Sequence, residues 1–410
     1  MARVNPCISL LVGMLVLVVL LIRKAPLWLI FIITGTLIAI LAGGLQVFPG
    51  VMERVIYSTA TWDLVTIMFL IAVFVMLYRE TGFVDQLSKE LAALLQKPCI
   101  VSMLVPAVLG LLPVPGGALM SAPVVDKMGE YIGLSRARRA FVNVWFRHVI
   151  FIVYPLSTVL VMTAVMTGNS IWDIVLIQIP VALAMIVVGY FIGFPRKKQY
   201  SGSAPIAGKR DNKALAKTML PILVTITIAV STSWILDYRL PIPVGRLSMI
   251  VGVLTGIILL ASTARLSLNR FTKVLISREP IELALIGFTA MYMRSVFESI
   301  DLSCVTTYLT TANTWVLLVS VPMFFSLAVG IVSSGVALSI SILGAIVELN
   351  VKNASLIYLS AFMGYLGSPL HLCYVYTVKY MKTTLIEGYK YLVPAIALTM
   401  LITLLLYSIL

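Results

Sequence analysis

The residues best suited to chemistry are an arginine and a histidine that lie inside an apolar stretch. Arg147 and His148 lie about two turns into a run that stays largely apolar over 140–167, and an ionisable side chain at such depth is a functional candidate by default. Arg147 could bind a carboxylate or phosphate through two parallel hydrogen bonds, and His148 could exchange a proton near neutral pH. Asn143 shares the helical face of Arg147. The structural alternatives are snorkelling of Arg147 to the inner interface and a neutral hydrogen bond for His148.

The second histidine of the chain lies in a stretch that is predicted to break another span. Gly367 and Pro369 interrupt the apolar run 353–380, and proline removes a backbone hydrogen bond from a helix. The freed carbonyls could hold a cation, and Ser368 and His371 would then line the same cavity. A packed proline kink is the structural alternative.

Two further apolar stretches, 99–125 and 315–347, are too long for one crossing of about 20 residues and are interrupted by glycine, proline and serine. Because broken backbone at membrane depth must be covered by protein or line a cavity, we expect two re-entrant hairpins. A helix that ends there directs its unpaired N–H groups and positive dipole end at anions. The alternative is a kink that permits tight helix packing. The candidate ligand-binding residues at the two tips are Gly116, Gly117, Ser121, Ser333, Ser334 and Gly335.

Composition defines the class of protein. Hydrophobic residues make up 60% of the 410 residues and charged residues only 11%, against about 45–50% and 25% in soluble domains. Four scattered cysteines without a C-x-x-C pair, two histidines and no phosphate-binding glycine motif predict no cofactor, no metal site and no enzyme activity. The chain is therefore predicted to be an all-α polytopic membrane protein with no nucleic-acid partner.

The distribution of basic residues predicts the topology. With both termini outside and two re-entrant hairpins, 23 of the 30 lysines and arginines lie in inside loops and five in outside loops, in agreement with the positive-inside rule. The expected location is the cell membrane. The predicted spans are 8–22, 27–48, 62–79, 140–167, 172–194, 218–236, 245–263, 281–299, 353–380 and 389–409.

A shift of the sequence by 218 residues superposes its halves. Gly116–Ser121 then falls on Ser334–Ser339, and several predicted spans coincide. We therefore expect two inverted-topology repeats, each with five transmembrane helices and one re-entrant hairpin. The predicted segments are a first repeat at 1–195 with its hairpin at 99–133, a basic cytoplasmic linker at 196–217, and a second repeat at 218–410 with its hairpin at 315–349.

Inverted repeats with broken segments are typical of secondary transporters, and span centres with arginine and histidine but few carboxylates favour an anionic substrate. Arg294 and Glu298 are predicted to form a structural ion pair. The expected function is alternating-access transport of a small organic acid or oxyanion, coupled to H⁺ or Na⁺. The alternatives are a carrier of phosphorylated lipid or another amphiphile and, with less support, a membrane-embedded enzyme. The expected partners are the anion, the coupling cation, the lipid bilayer and a second copy in a homodimer.

Three motifs carry a resemblance: Pro115-Gly116-Gly117-Ala118-Leu119-x-Ser121-Ala122-Pro123, Asn143-x-Trp145-Phe146-Arg147-His148 and Ser368-Pro369-x-His371-Leu372-Cys373. Over essentially its whole length the chain resembles an uncharacterised, mainly prokaryotic and often archaeal family of integral membrane proteins of unknown function. That family is distantly similar to the ion transporter superfamily, which includes gluconate, citrate, dicarboxylate and arsenite permeases. The resemblance implies inverted halves, one hairpin in each half, and transport of small anions. The dicarboxylate members carry Ser-Asn-Thr-type hairpin motifs, whereas these tips are Pro-Gly-Gly and Ser-Ser-Gly.

The topology can be tested with single-cysteine variants in intact cells. Cys304, between the span 281–299 and the second hairpin, should be labelled by a membrane-impermeant maleimide added outside. Cys99, at the entry of the first hairpin, should be labelled only after permeabilisation. Labelling of Cys304 only after permeabilisation would contradict the predicted topology.

Overall fold

The computed structural model describes residues 6–23, 25–95, 97–111, 117–195, 211–237, 245–300 and 312–409, and 86% of them are helical, with no strand among them. The prediction of an all-helical chain is confirmed. Gly116 and Cys304 lie outside the described residues. The helices are α1 Pro6–Ile22, α2 Leu27–Gly43, α3 Phe48–Tyr57, α4 Thr59–Glu80, α5 Phe83–Leu95, α6 Pro98–Gly110, α7 Ala118–Tyr131, α8 Arg136–Val149, α9 Thr158–Thr167, α10 Ile171–Gly193, α11 Asn212–Asp237, α12 Gly245–Thr263, α13 Leu268–Leu275, α14 Arg278–Ser299, α15 Thr314–Val329, α16 Val332–Leu343, α17 Val351–Gly367, α18 Leu372–Tyr380 and α19 Leu385–Ile409.

Six helical segments in the described part of the chain are long and apolar enough to cross a membrane: Thr59–Glu80, Ile171–Gly193, Asn212–Ser233, Arg246–Thr263, Val351–Tyr380 and Leu385–Ile409. A further pair, Leu27–Gly43 and Leu45–Tyr57, is bent by 113° and would make a seventh span. These lengths support a membrane protein, because a bilayer core of about 30 Å needs about 20 helical residues.

Two of the predicted long spans contain non-helical breaks. The span 353–380 is interrupted between Gly367 and Leu372, as its glycines and Pro369 predict. The prediction of a continuous span at 140–167 was wrong, because α8 ends at Val149, a short 3-10 turn follows, and α9 begins only at Thr158. Pro155 accounts for this break, since it lacks an N–H and disfavours helical dihedrals at Tyr154.

Both predicted hairpin regions contain two short apolar helices that pack against each other, α6 with α7 and α15 with α16. At 13 residues, α6 spans only about 20 Å. In the second region the break is at Gly330–Ile331, whereas the sequence predicts it at Ser333–Gly335, which form the first turn of α16. Gly330 ends α15 because it adopts the left-handed conformation, with φ 72°, and its N–H donates to the carbonyl oxygen of Ser326 at 2.8 Å.

The basic segment predicted as the linker, 196–217, is helical at its C-terminal end, since α11 begins at Asn212. Asp211 explains the earlier start of the helix. Its Oδ1 accepts hydrogen bonds from the backbone N–H groups of Lys213 and Ala214, at 2.9 and 3.1 Å, which satisfies donors that a helix start leaves unpaired.

The chain divides into two compact units, each assembled from three separate stretches: Met1–Ala72, Thr158–Ile174 and Ile276–Tyr365 in the first unit, and Val73–Ser157, Val175–Leu275 and Leu366–Leu410 in the second. Both units therefore combine segments from the two halves of the sequence. The repeat boundaries at 195 and 218 remain a prediction.

The first unit packs α2 and α16 against α14, and α9 against α16. The Thr36 and Tyr292 hydroxyls are 2.9 Å apart and link α2 to α14. Arg294 forms the predicted ion pair with Glu298 at 2.7 Å, and it also donates to the carbonyl of Met166. This arginine therefore has a structural role.

The second unit packs α6, α7 and α18 around α8, and α5 and α12 against α11. The aromatic face of α8 contacts α10, where the Trp145 indole N–H donates to the carbonyl oxygen of Met185 at 2.9 Å. Gly189 permits this approach, because a Cβ there would lie 2.4 Å from the Trp145 ring. The second unit contains most of the candidate site.

The close packing of α15 and α16 can be tested at Gly335. A Cβ added there would lie 1.9 Å from the Ser326 hydroxyl oxygen and 2.9 Å from the Pro322 carbonyl oxygen. We expect Gly335→Ala to cost about 1–3 kcal/mol of stability, seen as a lower thermal unfolding midpoint in detergent. Gly50→Ala is the matched control, since no heavy atom lies within 4 Å of a Cβ at this helical position. Equal midpoints for the two variants would contradict the tight contact.

Candidate functional site

Asn143 is the buried centre of the candidate site in the second unit. Its amide nitrogen donates to the Ala118 carbonyl oxygen at 2.8 Å and to the Thr377 hydroxyl at 3.3 Å, and its amide oxygen accepts from the Ser121 hydroxyl at 2.7 Å. One side chain on α8 therefore joins α7 and α18. Because every partner is buried, these hydrogen bonds hold the three helices in register.

Two neighbouring residues of α8 complete the cluster that the sequence predicts. Arg147 has 1% and His148 2% of its surface exposed, so neither side chain extends to water. The backbone at Arg147 lies close to α6, where a Cβ at Gly110 would be 2.3 Å from the Arg147 carbonyl oxygen. Snorkelling to an interface, the structural alternative for Arg147, is not what this degree of burial indicates.

The break between α17 and α18 brings the second histidine to the first. The imidazole rings of His148 and His371 have centroids 4.8 Å apart and meet nearly edge to face, at 83°. Cys373 joins them, and its sulfur and the histidine ring nitrogens lie within 4.8 Å of one another. All three residues are buried. The predicted absence of a metal site overlooked this group.

Ser368 lies in the same break, where its hydroxyl accepts a hydrogen bond from the Leu370 N–H at 3.1 Å. The side chain thus stabilises the non-helical turn that places His371 at the start of α18. Ser121, Asn143, Arg147, His148, Ser368 and His371 therefore all belong to the second unit.

The remaining predicted residues have other positions. Gly117 precedes α7 with right-handed dihedrals, φ −61° and ψ −10°, so its conformation does not require glycine. Ser333, Ser334 and Gly335 are buried in the first turn of α16, in the first unit. The Ser334 hydroxyl donates to the Ile331 carbonyl oxygen at 2.8 Å, and Gly335 contacts α15.

Arg138 and Arg139, predicted as interfacial anchors, make specific contacts within the second unit. Arg139 forms an ion pair with Asp126 of α7 at 2.6 Å, and the Arg138 guanidinium lies 5.1 Å from the centre of the Tyr391 ring. These contacts add to the attachment of α8 to α7 and α19.

Sequence reasoning missed three residues of the site: Gly110, Cys373 and Thr377. Cys373 had a local signal, because His371-x-Cys373 places two metal-binding residue types two positions apart. Thr377 and Gly110 had none, since a threonine and a glycine in apolar helices are common.

The family comparison covers almost the entire chain. A family model described as "Protein of unknown function (DUF401)" matches residues 7–410. The chain belongs to the DUF401 family. Together with the apolar helices, this match confirms the expectation of an uncharacterised membrane-protein family. No match was found among the curated proteins. For a DUF401 protein the function has to be inferred from its side chains and their geometry.

The hydrogen bond between Ser121 and Asn143 can be measured with a double-mutant cycle. Ser121→Ala, Asn143→Ala and the double variant should show a coupling free energy of about 0.5–2 kcal/mol in SDS-induced unfolding. Thr403→Ala with Asn143→Ala is the control pair, because the buried Thr403 hydroxyl donates to Thr399 of its own helix. This second pair should be additive. Additivity of the first pair would contradict the role of Asn143 as a link between helices.

Proposed function

We propose that the protein is a secondary active transporter of a small anion, an organic acid or an oxyanion, coupled to H⁺ or Na⁺ and working by alternating access. The observation that carries the proposal is the burial of Arg147 beside His148 at the end of α8, where the helix is interrupted. The proposal assigns Arg147, His148, Asn143 and Ser121 to substrate binding.

The distribution of buried charge supports an anionic substrate. Arg139 and Arg147 are buried, whereas every aspartate and glutamate in the described ranges keeps its side chain at least partly exposed. Arg139 is paired with Asp126. An arginine in a low-dielectric interior attracts an anion more strongly than it would in water, and its planar fork matches the oxygens of a carboxylate or oxyanion.

The helix boundaries support two structural repeats. Adding 218 to the bounds of α2, α3, α4, α6 and α10 gives 245–261, 266–275, 277–298, 316–328 and 389–411. The helices found there are α12 Gly245–Thr263, α13 Leu268–Leu275, α14 Arg278–Ser299, α15 Thr314–Val329 and α19 Leu385–Ile409. The interrupted pair α8 and α9 likewise corresponds to α17 and α18. Agreement over so many elements favours a duplicated architecture.

The packing within the two units follows the same correspondence. In the second unit α7 packs against α18, and in the first unit the equivalent α16 packs against α9, the equivalent of α18. Each hairpin thus contacts the half-helix that belongs to the other repeat. Exchange of this kind supports inverted repeats with re-entrant hairpins, the arrangement that secondary transporters use around a central site.

The charge bias of 23 inside to five outside supports the rest of the topology. We propose a cell-membrane protein with both termini outside and the basic segment 196–210 in the cytoplasm. The three sequence motifs and the paired hairpins support a distant relationship to the ion transporter superfamily. Coupling would then use protons at His148 or His371, or Na⁺ held by carbonyl and serine oxygens.

The proposal predicts that transport depends on the charge and shape of the Arg147 side chain. A thermal-shift screen of carboxylates, phosphates and oxyanions, with and without Na⁺, first identifies an anion that stabilises the purified protein. Uptake of that anion into reconstituted vesicles should fall roughly 10- to 100-fold in Arg147→Gln, because a charge-assisted hydrogen bond contributes about 1.5–3 kcal/mol. Arg147→Lys should recover only part of the activity.

Arg136→Gln is the matched control, since Arg136 is an exposed residue of the same helix and should leave uptake close to that of the wild type. Thermal unfolding of both variants in detergent establishes that they are folded. Unchanged uptake in a folded Arg147→Gln variant would exclude the proposed role of this residue.

A further inference from the structure

The only two histidines of the 410-residue chain face each other inside the second unit. They come from positions 148 and 371, in different halves of the sequence, and their ring centroids are 4.8 Å apart. Cys373 places its sulfur beside them, so that the donor atoms of all three residues lie within 4.8 Å of one another. His148, His371 and Cys373 are 2%, 0% and 4% exposed.

A hydrogen bond sets the tautomer of His148. Its Nδ1 lies 2.6 Å from the carbonyl oxygen of Val144, and because a carbonyl can only accept, Nδ1 carries the proton. The lone pair is therefore on Nε2. Histidines that bind metals commonly donate their other N–H in this way, which orients the ring and raises the basicity of the ligand atom.

The separations are close to those of a metal centre. Bonds of about 2.0 Å to nitrogen and 2.3 Å to sulfur in a tetrahedral site put the donor atoms about 3.3–3.6 Å apart. Closing the site from 4.8 Å needs side-chain shifts of roughly 1 Å. His371 can accommodate them because it is the extended residue that precedes α18, with φ −65° and ψ 104°.

The donor set selects the class of metal. Two imidazoles and one thiol suit thiophilic cations such as Cu⁺ and Zn²⁺ and not the oxygen-seeking Mg²⁺ or Ca²⁺. Coordination replaces the Cys373 thiol proton, which is released to solvent, and the metal keeps its oxidation state. Cu⁺ with one thiolate is neutral, whereas Zn²⁺ would leave a net positive charge in a buried site next to Arg147.

We propose that His148, His371 and Cys373 form a buried three-ligand site for a thiophilic d¹⁰ cation, with Cu⁺ preferred over Zn²⁺. This inference goes beyond the proposed anion transport and does not depend on it. It assigns a role to Cys373, which the proposed anion site does not use.

Metal binding to the purified full-length protein tests the proposal. Anaerobic loading with Cu⁺, followed by desalting and elemental analysis, should leave one copper per chain, and X-ray absorption should show one sulfur and two nitrogen neighbours. Competition with a Cu⁺ chelator should show that Cys373→Ser and His371→Gln weaken binding by at least about tenfold, since loss of even an outer-shell partner costs roughly 10- to 100-fold.

The matched control keeps Cys373 as its sole cysteine through Cys7→Ser, Cys99→Ser and Cys304→Ser, and it should bind copper like the wild type. Size-exclusion profiles and thermal unfolding verify that all variants are folded. Absence of stoichiometric binding, or binding that Cys373→Ser and His371→Gln leave unchanged, would overturn the site. Tighter binding of Zn²⁺ than of Cu⁺ would overturn the stated preference. None of these outcomes depends on Arg147 or on transport.

Discussion

The need to satisfy backbone polar groups inside an apolar chain governs this structure. Unpaired N–H and C=O groups are costly in hydrocarbon, so interrupted helices persist only where the protein supplies partners. Each interruption seen in the described residues has such partners. The Gly330 N–H bonds to Ser326, the His371 N–H to the carbonyl oxygen of Ser368 at 3.1 Å, and the Ser157 N–H to that of Tyr154 at 2.9 Å. These local bonds permit non-helical backbone, and non-helical backbone is what places polar side chains next to a site.

Asn143 extends this satisfaction from the backbone to the packing of helices. Its three hydrogen bonds join α7, α8 and α18, and Gly110 and Gly189 allow α6 and α10 to approach α8 on other faces. A helix held at so many points has little freedom to rotate. Arg147 and His148, one and a little over one turn beyond Asn143, are therefore presented in a defined orientation, as a binding site requires.

The two proposed ligands are compatible in charge. A thiolate with Cu⁺ is neutral and would leave the positive charge of Arg147 available for an anion. In a medium of low dielectric constant, a second uncompensated cation beside Arg147 would weaken binding of the metal. The absence of buried carboxylates in the described part of the chain points the same way, because it leaves the interior positive on balance.

The amino-acid sequence by itself determined the membrane class, the helical architecture, most of the span positions and the importance of Asn143, Arg147, His148 and His371. Hydrophobic run length and isolated polar residues are local properties, and they are visible without a fold. The sequence also located Pro369 as a breaker, but it missed the break at Pro155 and placed the one at Gly330 three residues too late. Only the tertiary structure decided that Ser121 bonds to Asn143, that Thr377 completes the network, and that Cys373 meets both histidines. Those contacts join residues from opposite ends of the chain, and no local periodicity specifies which helices will pack together.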